Sequence, residues 1–397
     1  MIEPSPGSAD DPASFRLPPR PPSVEPWDRV RRILAIRLDA AGDVLMTSPA
    51  LRALRATGPE RLTLVTSPSG AAAARLLPEL DDVIEYEAPW MKASATAGVD
   101  ADVAMIDRLA AERFDGAVIF TVHSQSPLPA ALMAYLAGIP RRLAHCRENP
   151  YQLLTDWIPE PELEQPTRHE VRRQLDLLDA VGITARDTHM SLHVPDVASR
   201  RARERLAGLG ISAGQPWILV HPGATAPSRR YPAARFGRAV RDIQALTCWP
   251  VVLTGDTSER ALIDEVRAAA DDVGVSLAGE LGFDELAALI AIAPIVLTNN
   301  TAPAHIAAAV GTPVVDLYAL TNLQHTPWHV PARVLSVDVP CKGCRRSVCP
   351  LGHNRCIRGI DPAVVVDAVL DLAIEQGIRL GKPAEHVPPE RLLASSR

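Results

Sequence analysis

Asp43 is the first residue in this chain placed to do chemistry. It follows Gly42 in the run Asp39-Ala40-Ala41-Gly42-Asp43, between an apolar stretch, Ile33 to Leu38, and an amphipathic one, Val44 to Ala56. A strand running into a helix puts such a turn at the ligand edge of a parallel sheet. The positive end of the helix dipole favours an ionised carboxylate there, which suits a general base. Simple helix capping is the plainer role open to Asp43, and to Asp39 still more. Gly42 is too isolated for a dinucleotide fingerprint, since no G-x-G-x-x-G occurs.

Three further turns suit an anion or a sugar. Thr225, Ser228, Arg229 and Arg230 follow the strand Trp217 to Val220 and the turn His221-Pro222-Gly223. Hydroxyls and rigid guanidinium forks at a strand end match a diphosphate. A solvated arginine pair is the alternative. Thr254-Gly255 and Glu259 form the next turn; a carboxylate there can accept from ribose hydroxyls or serve as the first-turn glutamate of an ordinary helix. The last is Asn300-Thr301-Ala302, after the buried strand Ile295 to Leu297 and before Pro303 and His305. Pro303 opens a helix of small residues, Ala304 to Val310, and its free N–H groups can hold a phosphate. His305 either donates to that phosphate or satisfies the helix start. His123 and Gln125 end a strand of the first half and could touch a second substrate.

Four of the six cysteines cluster as Cys341, Cys344, Cys349 and Cys356. A close pair with two further thiols predicts a tetrahedral structural site for zinc or iron; free or reversibly oxidised thiols are the other reading. Lys342, Arg345, Arg346, Arg355 and Arg358 make this segment basic. It could face an anionic substrate or a membrane surface, or form a solvated rim.

The elements that must position these residues alternate strand and helix, as in layered α/β folds with parallel sheets. Strands are expected at Ile33–Leu38, Leu62–Thr66, Val83–Tyr86, Gly116–Phe120 and Arg142–His145. A second series follows at Trp217–Val220, Val251–Leu253, Val275–Leu277, Ile295–Leu297 and Val314–Leu317. Residues 1–30 form a Pro-rich leader, flexible or extended; 31–195 make the first α/β unit; 196–215 are a helix and linker; 216–376 make the second; 377–397 form a polar tail. Two such halves imply a cleft between them.

With 397 residues there is room for two cores. A net charge of −6 and 4% aromatics give no footprint for nucleic acid. Neither a secretory leader nor a long apolar span is visible, so a cytoplasmic protein is expected.

Taken together, four segments resemble glycosyltransferase family 9, the lipopolysaccharide heptosyltransferase type. They are Ile33 to Arg55, Ile218 to Phe236, Val251 to Glu259 and Val296 to Tyr318, within a likeness that spans Arg32 to Ile374. The resemblance implies a GT-B fold, with two Rossmann-like domains facing a cleft. The first would take the acceptor and the second the nucleotide-sugar donor. It implies transfer of a sugar, ADP-heptose being the favoured donor, with inversion, to a lipopolysaccharide core or related glycan at the inner face of the inner membrane. By the same resemblance Asp43 is the base, Arg229 meets the donor phosphates, Glu259 contacts the ribose, and the loop of Thr301 and His305 holds the diphosphate. Asn300-Thr301-Ala302 departs from the Asp-Thr-Gly or Asp-Ser-Gly of many members. That loses a carboxylate and fills a glycine. No paired carboxylates call for Mg²⁺. A non-catalytic nucleotide-sugar-binding protein, a heptosyltransferase with a protein acceptor, and an epimerase or hydrolase remain the competing readings.

Overall fold

The computed structural model describes residues 26–91, 98–160 and 167–380. Its first half runs β1 (Arg32–Arg37), α1 (Ala41–Ala56), β2 (Arg61–Thr66), α2 (Pro68–Ala74), β3 (Asp82–Glu85), α3 (Val99–Glu112), β4 (Gly116–Ile119), α4 (Leu128–Leu136), β5 (Arg141–Cys146), β6 (Asp156–Pro159) and α5 (Glu170–Asp179). The strand order is β3-β2-β1-β4-β5-β6. Helix α6 (Asp196–Gly208) leads to the second half. That half runs β7 (Ile218–His221), α7 (Ala233–Thr247), β8 (Val251–Leu253), α8 (Arg260–Ala269), β9 (Val275–Ser276), α9 (Phe283–Ile292), β10 (Ile295–Asn299), α10 (Ala302–Val310), β11 (Val314–Leu317), β12 (Ala332–Leu335), α11 (Arg355–Arg358) and α12 (Pro362–Glu375). Its order is β12-β11-β10-β7-β8-β9. Both sheets are parallel throughout their recorded pairings.

Parallel strands covered on both faces read as unbroken apolar runs, and these do. Along β1, Ile33 and Ala35 face one apolar cluster while Leu34 and Ile36 face another. Along β10, Val296 joins the same cluster as Ile33, and Ile295 and Leu297 turn the other way. One core therefore runs through both halves, and α1 packs on both α5 and α10. That packing brings the carboxyl ends of the two sheets together.

Helix α1 carries Pro49 in its interior, which would orphan the carbonyl of Leu45. The Ser48 hydroxyl donates to that carbonyl at 2.6 Å, so the helix continues.

Three elements depart from the expectations. β6 lies in a stretch that lacks a strand pattern because Trp157 and Pro159 interrupt it; β12 is a partly exposed edge strand; α11 is a single turn. Trp27, expected in the leader, is fully buried in a 3₁₀ turn. Gly116 makes room for it, since a Cβ there would lie 2.9 Å from the indole. The rest of the leader and the tail from 381 onward fall outside the described residues.

Candidate active site

The cleft is built around a buried guanidinium. Arg37, the last residue of β1, is fully buried and meets three carboxylates: Nε lies 2.9 Å from Asp39 Oδ2, Nη2 3.2 Å from Asp43 Oδ1, and Nη1 2.9 Å from Glu170 Oε1. A buried charge is tolerable only when paired this closely. Asp43 sits inside the first turn of α1, slightly further into the helix than expected, and keeps 20% of its side-chain surface. Burial pushes its proton affinity up; Arg37 pulls it down, Glu170 pushes it up again, and Arg229 pulls it down. Asp39 rises to about 6, because burial and then Asp43 outweigh Arg37 and the amide of Gln125. That amide donates to Asp39 Oδ1 at 2.7 Å. Burial works against Glu170 as well, but Arg37 and Arg173 win and hold it at about 2.

Arg229 comes from the opposite half, in the 3₁₀ turn Pro227–Arg229 after β7. Its charge acts on Asp43, on Asp316 and on His305. The turn is pinned from two sides. Asn299, at the end of β10, accepts from the N–H of Tyr231 at 3.2 Å and donates to the carbonyl of Pro222 at 2.6 Å. Ser228 reaches the cysteine segment, donating through its N–H to Ser347 O at 3.0 Å and through its hydroxyl to Arg346 O at 2.7 Å.

Helix α10 starts beside this turn. Thr301 is its N-cap in extended conformation, and its hydroxyl, buried, bonds to no group among the described residues. Burial, first of all, drives His305 well below the ordinary histidine range, so it is neutral at pH 7. Its ring closes on Gly42: a Cβ on Gly42 would lie 2.6 Å from His305 Cδ2. Glu259 caps its own turn, accepting from Asp256 N–H at 3.0 Å, and lies over Gly223, where a Cβ would be only 2.0 Å from Oε1.

The structure thus brings Asp43, Gly42, Arg229, Thr301 and His305 to one cleft, with Glu259 on the rim of the second sheet. Other expected donor contacts are engaged elsewhere. Asn300 is buried and donates to Asp316 Oδ2 at 3.1 Å and to His325 O at 2.7 Å, so its amide braces the core. The Thr254 hydroxyl turns inward to His221 Nδ1 at 3.1 Å. Ser228 holds the cysteine segment, as described above. Thr225 is exposed, and Ala302 is half-buried in the first turn of α10. His123 is buried with neither ring nitrogen partnered among the described residues, and burial, then Arg345 and Arg173, lowers it to about 4.

The tetrahedral metal site expected of Cys341, Cys344, Cys349 and Cys356 is not assembled among the described residues. All four thiols line one cavity of about 20 Å³ with Ser228 and His353. Burial first, then Cys341 and Cys344, push the Cys356 thiol up. Cys341 Sγ lies 3.8 Å from His353 Nε2, and Cys349 Sγ accepts from the Asn354 N–H at 3.5 Å. All are free thiols.

Arg37, Glu170 and Asn299 carry the site yet escape a reading of the sequence for chemistry. Signals exist for two of them. Arg37 is a charge closing an apolar strand, and Glu170 with Gln174 puts polar groups four apart on the apolar side of α5.

Residues 103–354, more than half of the chain, match the model of glycosyltransferase family 9 (heptosyltransferase). The chain belongs to that family. Lipopolysaccharide heptosyltransferase 2 of Salmonella typhimurium is 24% identical over 356 residues, covering 87% of this chain and all of the relative. Among solved structures, a family 9 glycosyl transferase from Veillonella parvula superposes with a TM-score of 0.74 at 20% identity, over 87% of this chain and 98% of its own. The E. coli ADP-heptose lps heptosyltransferase II gives 0.67 at 22%, over 87% and 99%. This glycosyltransferase has the GT-B architecture.

Proposed function

We propose that this enzyme moves a heptose from ADP-heptose to a hydroxyl of a lipopolysaccharide core or related surface glycan, with inversion at the anomeric carbon. The observation that carries the reading is the meeting of Asp43, from the first sheet, with Arg229 and the start of α10, from the second. The names of the Salmonella relative and the E. coli structure favour this donor and acceptor.

Asp43 takes the proton of the acceptor hydroxyl as that oxygen attacks the sugar. Its raised proton affinity suits a base that must receive a proton near neutral pH. The leaving diphosphate gains charge in the transition state. Arg229, the positive end of the α10 dipole and the unpartnered hydroxyl of Thr301 meet that charge. Glu259 accepts from the ribose. The contact of His305 with Gly42 closes the cleft beside the base and limits water there. No helix among the described residues is long and apolar enough to cross a membrane. A lipid-borne acceptor would be met by peripheral contact at the inner face of the cytoplasmic membrane.

The test is Asp43→Asn. Transfer from ADP-heptose to a heptose-deficient lipopolysaccharide acceptor should fall by about 10²–10⁴-fold, while ADP affinity stays within twofold. Near-normal transfer would remove Asp43 from the role. No turnover by the wild type, with any lipopolysaccharide core offered, would remove the acceptor.

A further inference from the structure

Glu170 touches no position that a substrate could reach, yet it is tied to both halves of the enzyme. Its side chain is fully buried. Oε1 accepts from Arg37 Nη1 at 2.9 Å and from Gln174 Nε2 at 3.0 Å, and lies 3.7 Å from Arg173 Nη1. Its backbone N–H donates to the carbonyl of Gln324, at 3.0 Å, in the segment between β11 and β12 of the second half. The residue before it, His169, reaches the same segment. Its Nε2 bonds Thr326 O at 2.8 Å and its ring stacks on Trp328 with centroids 4.4 Å apart. Helix α5 otherwise packs on α1, the helix that carries Asp43.

We propose that Glu170 is a positioning residue for the base. It shares the Arg37 guanidinium with Asp43, and it does so only while the start of α5 is docked on the donor half. The inference rests on the reading of Asp43 as base. Three carboxylates divide one buried cation, so what Glu170 takes from Arg37 is withheld from Asp43. The direct repulsion between the two carboxylates acts in the same direction. Docking of the halves thus keeps the base basic.

Among the described residues, the charged and titratable groups packed around Asp43 all enter this balance. β1 and the turn after it contribute Arg37 and Asp39, α5 contributes Glu170 backed by Arg173, and the turn after β7 contributes Arg229. α10 contributes His305 and the segment before β12 contributes His325. Both imidazoles are lowered first by burial, His325 to about 4, and stay neutral in the working range.

The test compares pH profiles of kcat/KM on the same substrates, so that substrate ionisation cancels. Glu170→Gln keeps the shape and the hydrogen bonds but removes the charge. The acid limb should move down by about one pH unit, with the KM for the donor unchanged. Arg37→Lys keeps a charge but loses the three-way fork, and should move the limb up. A merely structural role would lower kcat at every pH and leave the limb in place. Limbs that do not move, or that move the same way in both variants, overturn the proposal. If Glu170→Gln does not fold, as judged by its melting curve, the direction of the Arg37→Lys limb decides alone. If Asp43→Asn still transfers sugar, the reading of the base has failed. If it does not, and the limbs stay fixed, only the role of Glu170 has failed.

Discussion

Buried carboxylates in this cleft fall on both sides of their ordinary range, and neighbouring cations decide which side. Glu170 has two arginines and sits at about 2. Asp316 has the Asn300 amide and a more distant Arg229, which do not offset its burial, and rises to about 7. The linkage follows from that difference. Between the unfolded value near 3.8 and about 7, the folded state binds more protons at Asp316 than the unfolded state does. Its contribution to stability is therefore complete below pH 3.8 and is lost as pH rises through 7. Asp316→Asn removes the loss while still accepting from Asn300. The variant should melt roughly a few degrees above wild type at pH 8, with the gap closing as pH falls to 3.8. Equal melting points at pH 8 would mean that Asp316 ionises at its ordinary value. Asn300, Thr254 and Ser228 teach the limit of reading single residues. Their types suit a sugar phosphate, but tertiary partners direct them inward, and the partner of the Ser228 hydroxyl lies 118 residues away. Nothing local in the sequence encodes that distance.

The elements were more legible than the side chains. Strand ends followed by a helix start mark Asp43, Arg229 and Thr301 because the apolar runs of a parallel sheet are unambiguous and their exits are polar. β6 and β12 were not legible, because Asp156 and Pro159 in the one and Arg333 in the other break the apolar run that identifies the inner strands. The first turn of α1 also carries a constraint that the motif alone does not state. Gly42 has ordinary helical backbone, so its need is for space and not for a special φ. Gly42→Ala should push His305 off the start of α1, costing about 1–3 kcal/mol of stability and at least tenfold in transfer. Denaturant melts and initial rates would measure both. A variant with wild-type rates would show that the two helices do not need to approach this closely.

At the scale of the molecule, the doubled α/β plan and the cleft follow from the repeated strand–helix pattern, and the relatives share them over most of their length. The way the halves are joined does not follow from that pattern. It depends on α1 against α10 and on the start of α5 against residues 321–329, contacts between segments more than a hundred residues apart. Within the second half, the cysteine segment holds the turn of Arg229 through Ser228.

The docking of α5 bears on enzyme engineering. If the second half takes the donor as proposed, exchanging it between homologous transferases would exchange the sugar, and the segment near 210–216 offers a crossover point. A hybrid cut there inherits a foreign partner for His169 and Glu170. On the proposed donor, such hybrids should still capture ADP yet glycosylate poorly, and grafting the native 321–329 stretch back into the incoming half should restore turnover without altering nucleotide affinity. Titration calorimetry with ADP, set beside initial rates of the hybrid and its graft, would separate the two effects. Specificity in this scaffold can be exchanged as a block only if the seam travels with it.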